Sequence, residues 1–344
     1  MSTTRYELES AAGEALGKLT VLPAGSMISV SLVAAVCGCS LDEATYLVRV
    51  LLFAERLQVA RRPGTRTDDP LYALTTSGQA THDAIRPDRS DILRCWTDWL
   101  LVHASRAEAI LTPERPALSR TYRRLRPASL HSETEALAWL YSHRRDLIAA
   151  VHTADDRDWP EVRWQLTDAM WPLLKRSDQR DTSISVHREH GVPAARVSRD
   201  PAVLHRMLTN LGAALRGAGE PEEALAVLGE AAAGARQHER QRDQADALTG
   251  IAELHLEIGE YEAAAAAATT ALELRTAVGD RHGCSLTRVL VGDIASHQGQ
   301  HESAIGHLER ARRDLLAERD TLAAARALET LGAAHGRAGR PRHR

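Results

Sequence analysis

The sequence predicts a mainly α protein with three parts: an N-terminal module of three helices and a short hairpin, a helical spacer, and a C-terminal α-solenoid with a forty-residue repeat. Two observations carry this. From about residue 200 the same residue types return at steps of forty, and upstream of that point capping residues and apolar spacing mark helices without the repeat. Gly219, Gly259, Gly299 and Gly339 form one column, and Leu211, Ile251, Val291 and Leu331 form another. Gly212, Ala252, Gly292 and Gly332 follow the second column by one residue. Ala224, Ala264 and Ala304 make a fourth, and Ala231, Ala271 and Ala311 a fifth.

Each column has a place in a helix-turn-helix unit. The apolar residue and its small neighbour sit where two helices approach closely. The later glycine ends the first helix, because glycine takes the left-handed conformation without a steric cost. Pro221 or Tyr261 opens the second helix, proline being accepted in a first turn, and the alanines let that helix pack tightly. The segments Asn210 to Ala231, Gly250 to Ala271 and Leu290 to Ala311 share this order, while Thr330 to Gly339 stops after its first helix. The order resembles the tetratricopeptide repeat (TPR) signature. The spacing exceeds the usual ~34 residues, which implies longer helices or connections.

Length and composition fit this organisation. A chain of 344 residues accommodates two or three domains. A net charge of -3 gives no general attraction to nucleic acid or anionic membranes. Four scattered cysteines, Cys37, Cys39, Cys95 and Cys284, do not form a disulfide framework, and the first residues lack the pattern of a signal peptide. No apolar run approaches the ~20 residues that span a bilayer. The expectation is a reduced, cytoplasmic protein.

Residues 1–88 read as helices over Leu8 to Leu19, Ser31 to Cys37 and Leu41 to about Leu57, the third started by a Ser40/Glu43 capping box. Strands are predicted over Gln58 to Arg62 and Pro70 to Leu74. This order resembles a winged helix. The fold often binds DNA through the first turn of its third helix, but here that turn carries Asp42 and Glu43, which oppose phosphates. Arg61, Arg62 and Arg66 are the candidate nucleic-acid contacts, offset by Asp68 and Asp69. The favoured reading is a packing module.

The spacer occupies 89–157, with an amphipathic helix between Ile92 and Leu111, a Pro/Arg-rich loop over Thr112 to Leu130, and an amphipathic run opened by Ser132 and Glu135 that continues through Ala136, Leu137, Leu140, Leu147 and Val151. A degenerate helix pair is expected over 158–200, opened by Pro160 and kinked at Pro172. The repeats then fill 201–340, and 341–344 is a basic tail. The tryptophans Trp96, Trp99, Trp164 and Trp171 fall at helical spacing and read as core.

Taken in order, these parts resemble the C-terminal portion of actinobacterial STAND-type regulators, the NB-ARC and SARP-associated proteins. That resemblance implies the sensor and partner-binding half of a transcriptional regulator. The nucleotide-binding module of that family has no counterpart here: Gly13 to Thr20 lacks the glycine spacing of a phosphate loop and has Leu19 where Ser or Thr would hold magnesium.

Catalytic and metal chemistry is not indicated. His187-Arg188-Glu189-His190 is not the zinc-protease motif, Cys37-Gly38-Cys39 has no second cysteine pair, and no nucleophile signature appears. No cofactor is expected. The candidate site is the groove lined by the first helices: Arg206, Thr209 and Arg216, then Asp246, Thr249, Glu253 and Glu257, then Val289, Asp293 and His297, then Arg326, Glu329 and Arg337. Its middle reads as acidic and its ends as basic. The expectation is a non-enzymatic regulatory or adaptor protein binding a protein or peptide there. The alternatives are a DNA-binding regulator with a winged-helix reader and TPR peptide sensor, or an accessory subunit of a biosynthetic enzyme.

Overall fold

The structure is a computed structural model that describes residues 2–60, 70–79, 89–119, 130–176 and 180–339. It divides into two compact units, Met1–Asp178 and Gln179–Arg344. The first unit opens with α1 (Ser2–Leu19), α2 (Val30–Cys37) and α3 (Leu41–Phe53), followed by an antiparallel pair, β1 (Leu57–Val59) and β2 (Tyr72–Leu74). Ile28 adds a bridge to Tyr72 beside this pair. Ser29 Oγ accepts the Leu32 N–H to start α2, and the left-handed Gly38 (φ 69°) ends it. The Ser40/Glu43 capping box forms in full. Helix α3 stops short of the predicted Leu57 because Glu55 turns left-handed (φ 55°), which sends Leu57 into the sheet as a buried strand residue. Arg61, Arg62 and Arg66 lie outside the described residues.

After a short turn, α4 (Thr76–Gln79), the helix α5 (Arg89–Leu111) forms the centre of this unit. It packs on α2, α6 (Glu133–Ser142), α7 (Arg144–Asp156) and α8 (Pro160–Ala169), and it buries Trp96, Trp99, Leu100 and Ala104. The tryptophans at helical spacing are core, apart from the half-buried Trp171. Ser132 caps α6 through the Glu135 N–H, but Glu135 accepts from the His131 N–H instead of closing the box. The predicted single run past Leu140 breaks at His143, a buried residue whose ring Nδ1 is 3.0 Å from the Trp139 carbonyl oxygen. Pro172, with no N–H for the Asp168 carbonyl, separates α8 from α9 (Trp171–Arg176). Arg115 donates to that same carbonyl at 3.5 Å.

Asp146, on α7, is buried and accepts the Met27 N–H at 3.1 Å, tying the α1–α2 loop to the spacer. Burial pushes its carboxyl up to about 6, although the Met27 and Ser26 hydrogen bonds pull the other way. A carboxyl raised in the folded state from an unfolded value near 4 favours folding while protonated. Its contribution is present below about pH 4 and lost as pH rises through about 6, on the order of 3 kcal/mol in all. Asp146→Asn is therefore expected to be at least as stable as the parent at pH 7 and less pH-dependent between pH 4 and 6. Urea denaturation of both proteins across that range checks it, and parallel curves would count against the assignment.

The second unit opens with α10 (Arg180–Ser185), a π-helical turn (Val186–Gly191) and α11 (Val192–Val197), one helical run that packs on α12 (Pro201–Ala218). The repeats continue through α13 (Pro221–Gln237), α14 (Gln241–Glu257), α15 (Tyr261–Ala277), α16 (Arg281–His297), α17 (His301–Ala317) and α18 (Thr321–Ala338). The forty-residue period thus comes from helices of 17 or 18 residues joined by minimal turns. The run 158–200, grouped as one degenerate pair from sequence, is divided between the two units, with α8 and α9 in the first and α10–α11 in the second. Residues 180–197 stand forty residues before α13 and bury Ile184, Gly191 and Ala195, the counterparts of Ala224, Ala231 and Ala235.

Left-handed residues close every helix end between 219 and 319 at steps of twenty: Gly219, Glu239, Gly259, Gly279, Gly299 and Arg319. Gly339, at the same repeat position, is right-handed (φ -79°). The small column does what close approach requires. A Cβ on Gly212 would lie 2.5 Å from Leu228, and one on Gly292 would lie 2.6 Å from Leu308. In the middle pair both sides change together, with Ala252 facing the repeat position of Ala268, so the first helix gains a methyl where the second exchanges an isobutyl side chain for a methyl. Among the described residues no single helix is long and apolar enough to cross a membrane.

Candidate partner-binding face

The first helices of successive pairs, α12, α14, α16 and α18, touch one another side by side. The second helices α13, α15 and α17 have no comparably strong contact among themselves, so the stack has an inner layer of first helices. Helical periodicity puts three kinds of position on each first helix: one facing its own second helix, one facing the neighbouring first helix, and one facing solvent.

Arg216, Glu253, Glu257, Asp293 and His297 come together on the inner layer. Arg216 of α12 reaches Glu253 at 2.8 Å and Glu257 at 2.5 Å on α14. Arg337 of α18 reaches Asp293 at 3.3 Å, Ser296 Oγ at 3.0 Å and His297 Nε2 at 2.9 Å on α16. The ring of Tyr261, the first residue of α15, stacks on His297 with centroids 5.2 Å apart. The acidic middle and basic ends expected from sequence are therefore interleaved, each arginine bridging from one repeat to the next. The charge is not evenly cancelled: Glu253 and Glu257 share one guanidinium, and Glu257 is exposed.

The other predicted groove residues make different contacts. Asp246 turns to its own second helix, where Arg275 donates to it at 2.6 Å. Arg206 and Arg326 occupy the same repeat position as Asp246. Val289 packs against two buried clusters that include Leu308, Leu315 and Ala327, and Thr209, Thr249 and Glu329 share its register. The Thr209 and Thr249 hydroxyls donate to carbonyls of their own helices, those of His205 and Ala245, at 2.8 Å each. The difference is one of position along the helix: 246, 249, 253 and 257, at steps of three or four, share one stripe, but 246 lies near the start of α14, within reach of Arg275 at the end of α15, and 253 and 257 lie near its end, within reach of Arg216.

Sequence reasoning missed a buried charge cluster at the turn between the second and third pairs. Arg275 donates to Asp280 at 2.6 Å as well as to Asp246, and Arg242 reaches Asp280 at 2.9 Å. Asp280 also caps α16 by accepting the Gly283 N–H. A Cβ on Gly283 would fall 2.2 Å from both Arg275 and Asp280, so glycine makes room for the pair. Burial alone would raise the Asp280 carboxyl, but the Gly283 N–H and the Arg275 guanidinium outweigh it and hold it below the usual carboxylate range. The visible clue was Arg275 itself, an arginine in a second-helix position that carries Ala235 and Leu315 in the other pairs.

In the first unit, the buried carboxylates Glu108 and Asp168 share Arg115 at 3.0 and 2.8 Å. The guanidinium lies 5.9 Å from the centre of the Trp171 ring. His187 and His190 are buried in the π-helical turn, His187 Nδ1 lying 2.8 Å from the Ser183 carbonyl oxygen. Cys37 is half-buried, and its thiol is pushed up to about 11 by burial and by Cys39, well away from a reactive thiolate. Among the described residues no group of three or more His, Cys, Asp or Glu side chains gathers as a metal site would require.

No family model matches the chain, and no curated protein matches it. Solved structures do. An aspartyl phosphate phosphatase F from Bacillus subtilis aligns with a TM-score of 0.50 at 11% identity, covering 87% of this chain and 66% of that one. The apo form of RapI aligns at 0.48 and 14% identity, covering 72% and 70%. A signal transduction ATPase with numerous domains (STAND) that carries a tetratricopeptide repeat sensor, from Pyrococcus horikoshii, aligns at 0.48 and 12% identity. The alignment covers 94% of this chain but only 47% of the Pyrococcus one. Likeness at this level of identity concerns the fold, a mainly helical chain with TPR-like helix pairs.

Proposed function

We propose that this chain is a regulatory or adaptor protein without catalytic activity of its own, and that it binds a protein or peptide along the inner layer of its TPR-like stack. The observation that carries the reading is the Arg216, Glu253 and Glu257 cluster. Two carboxylates from one helix share a single arginine from the next, leaving a net negative charge on an accessible face spanning two repeats. A cationic segment of the partner matches it, which narrows the ligand chemistry from a generally acidic groove to one end of it.

The first unit is assigned a packing role within the same regulator. Its three helices and hairpin follow winged-helix order, and the exposed side of α3 offers Leu41, Tyr46 and Phe53 together with Asp42. The Glu43 carboxylate is occupied by the Ser40 N–H and hydroxyl. An apolar and acidic third helix suits contact with protein better than contact with phosphate. By the same resemblance, the chain acts as the sensor half of a STAND-like system in the cytoplasm.

The test begins with the protein that copurifies with the chain from its native cell. Glu257→Gln keeps the Arg216–Glu253 pair and removes the surplus charge, so it is expected to weaken that complex several-fold and flatten its salt dependence. Folding stability should move by no more than ~0.5 kcal/mol, as for other exposed sites. Binding unchanged at low ionic strength would rule out the inner cluster as the contact.

A further inference from the structure

The second helices α15 and α17 leave a gap between them, and α16, which packs on both, forms its floor. The gap holds an open cleft of about 600 Å³, within the roughly 300–1,000 Å³ of small-molecule sites. Three arginines line it, Arg281 and Arg288 from α16 and Arg310 from α17. Two acids face them, Asp314 near the end of α17 and Glu318 just beyond it. Glu318 already has a partner, since His282 Nδ1 lies 3.0 Å from its carboxylate.

The other acid leaves the arginines with donors to spare. Arg288 Nη1 and Arg310 Nε lie 3.6 and 3.9 Å from the same oxygen, Asp314 Oδ2, both beyond hydrogen-bond reach. Among the described residues nothing accepts a hydrogen bond from either guanidinium. The Arg288 side chain is only 16% exposed, so its five donors open onto the cleft rather than onto bulk water. Burial, and after it the charges of Arg288 and Arg310, hold the His307 ring below its ordinary range, as a positive potential requires. The fold does not demand these charges. One repeat earlier, between α13 and α15, the positions of Arg288, Arg310 and Asp314 carry Leu248, Thr270 and Leu274. Uncharged side chains suffice for packing there, so a sheltered guanidinium without a hydrogen bond calls for another partner.

We propose that this cleft binds the phosphate group of a small phosphorylated molecule, with Arg288 and Arg310 donating to its oxygens from two helices and the exposed Arg281 adding charge at the rim. A phosphate monoester carries about −1.5 to −2 charges at pH 7 and presents three acceptor oxygens, which suits guanidinium forks arriving from different directions. Asp314 gathers the two guanidiniums near one point without occupying their donors. The site is separate from the Arg216, Glu253 and Glu257 cluster and does not rest on the role assigned to it.

Isothermal titration calorimetry of the full chain at fixed ionic strength, with inorganic phosphate and with glycerol 3-phosphate, tests this. Saturable binding of both is the expected result. Arg288→Leu and Arg310→Thr copy the neighbouring cleft, so each should keep a thermal midpoint close to the parent's while the dissociation constant for phosphate rises about tenfold or more. Arg313→Gln removes an exposed arginine of the same helix that does not line the cleft, and it should leave binding unchanged. No saturable binding, binding indifferent to Arg288→Leu, or an equal loss in Arg313→Gln overturns the proposal. A phosphoserine peptide supplies the remaining arm: if it binds where glycerol 3-phosphate does not, the cleft reads a modified protein and the small-molecule assignment falls.

Discussion

Leu308→Ala is expected to cost about 2–5 kcal/mol in urea denaturation, because the side chain is fully buried against the small column of α16. Gly292→Ala alone is expected to cost about 1–3 kcal/mol, since its new Cβ would stand 2.6 Å from Leu308 and 3.2 Å from the Ala304 carbonyl oxygen. Together the two changes recreate the Ala252 and Ala268 arrangement of the middle pair. The double variant should therefore be no less stable than Leu308→Ala alone, a favourable coupling of about 1–3 kcal/mol. Simple additivity would mean that this close approach does not set the spacing of the two helices.

Arg275→Met should be among the most destabilising single changes in the second unit, at about 3–5 kcal/mol. It removes the cation shared by Asp280 and Asp246 and leaves the buried Asp280 with Arg242 alone. The deficit has a pH signature. Asp280 is held below its ordinary value, so its contribution is present above about pH 4 and lost as pH falls through the lower folded value. The gap between parent and variant should accordingly narrow in acid. A constant gap across pH would assign the loss to packing instead.

Much of the second unit was legible in the sequence because its columns are steric. A left-handed helix end, a close approach and a tight alanine seam each admit few residue types, and a forty-residue period exposes them. The run at 180–197 was harder to see. Its π-helical turn interrupts the regular register, and Gly191 and Ala195 alone continue the alanine columns. The break at His143 was invisible for another reason: the apolar residues keep helical spacing across it, and only the buried ring marks the corner.

The candidate face was legible in part. Helical spacing selected Glu253, Glu257 and Asp293, but spacing alone does not say which side of a first helix meets its partner. Asp246 and Val289 share that spacing, yet Asp246 is taken up by Arg275 of its own second helix and Val289 packs against buried clusters. The discriminating fact was available in Arg275, since a charge set into an alanine seam requires an acid on the helix opposite. The ion pairs between Arg216 and Arg337 and their neighbours were less accessible, because they depend on the offset between successive repeats.

The matched exchange of Gly212 and Leu228 for Ala252 and Ala268 constrains how such a chain is recombined. A second helix exchanged between the middle pair and either of its neighbours meets a leucine against an added methyl or an alanine facing a void. Shuffling single helices therefore fails in both directions. A cassette that begins before the small column and ends after the following alanines carries both sides of the match with it, so the forty-residue pair is the smallest segment that duplication or engineering can move intact.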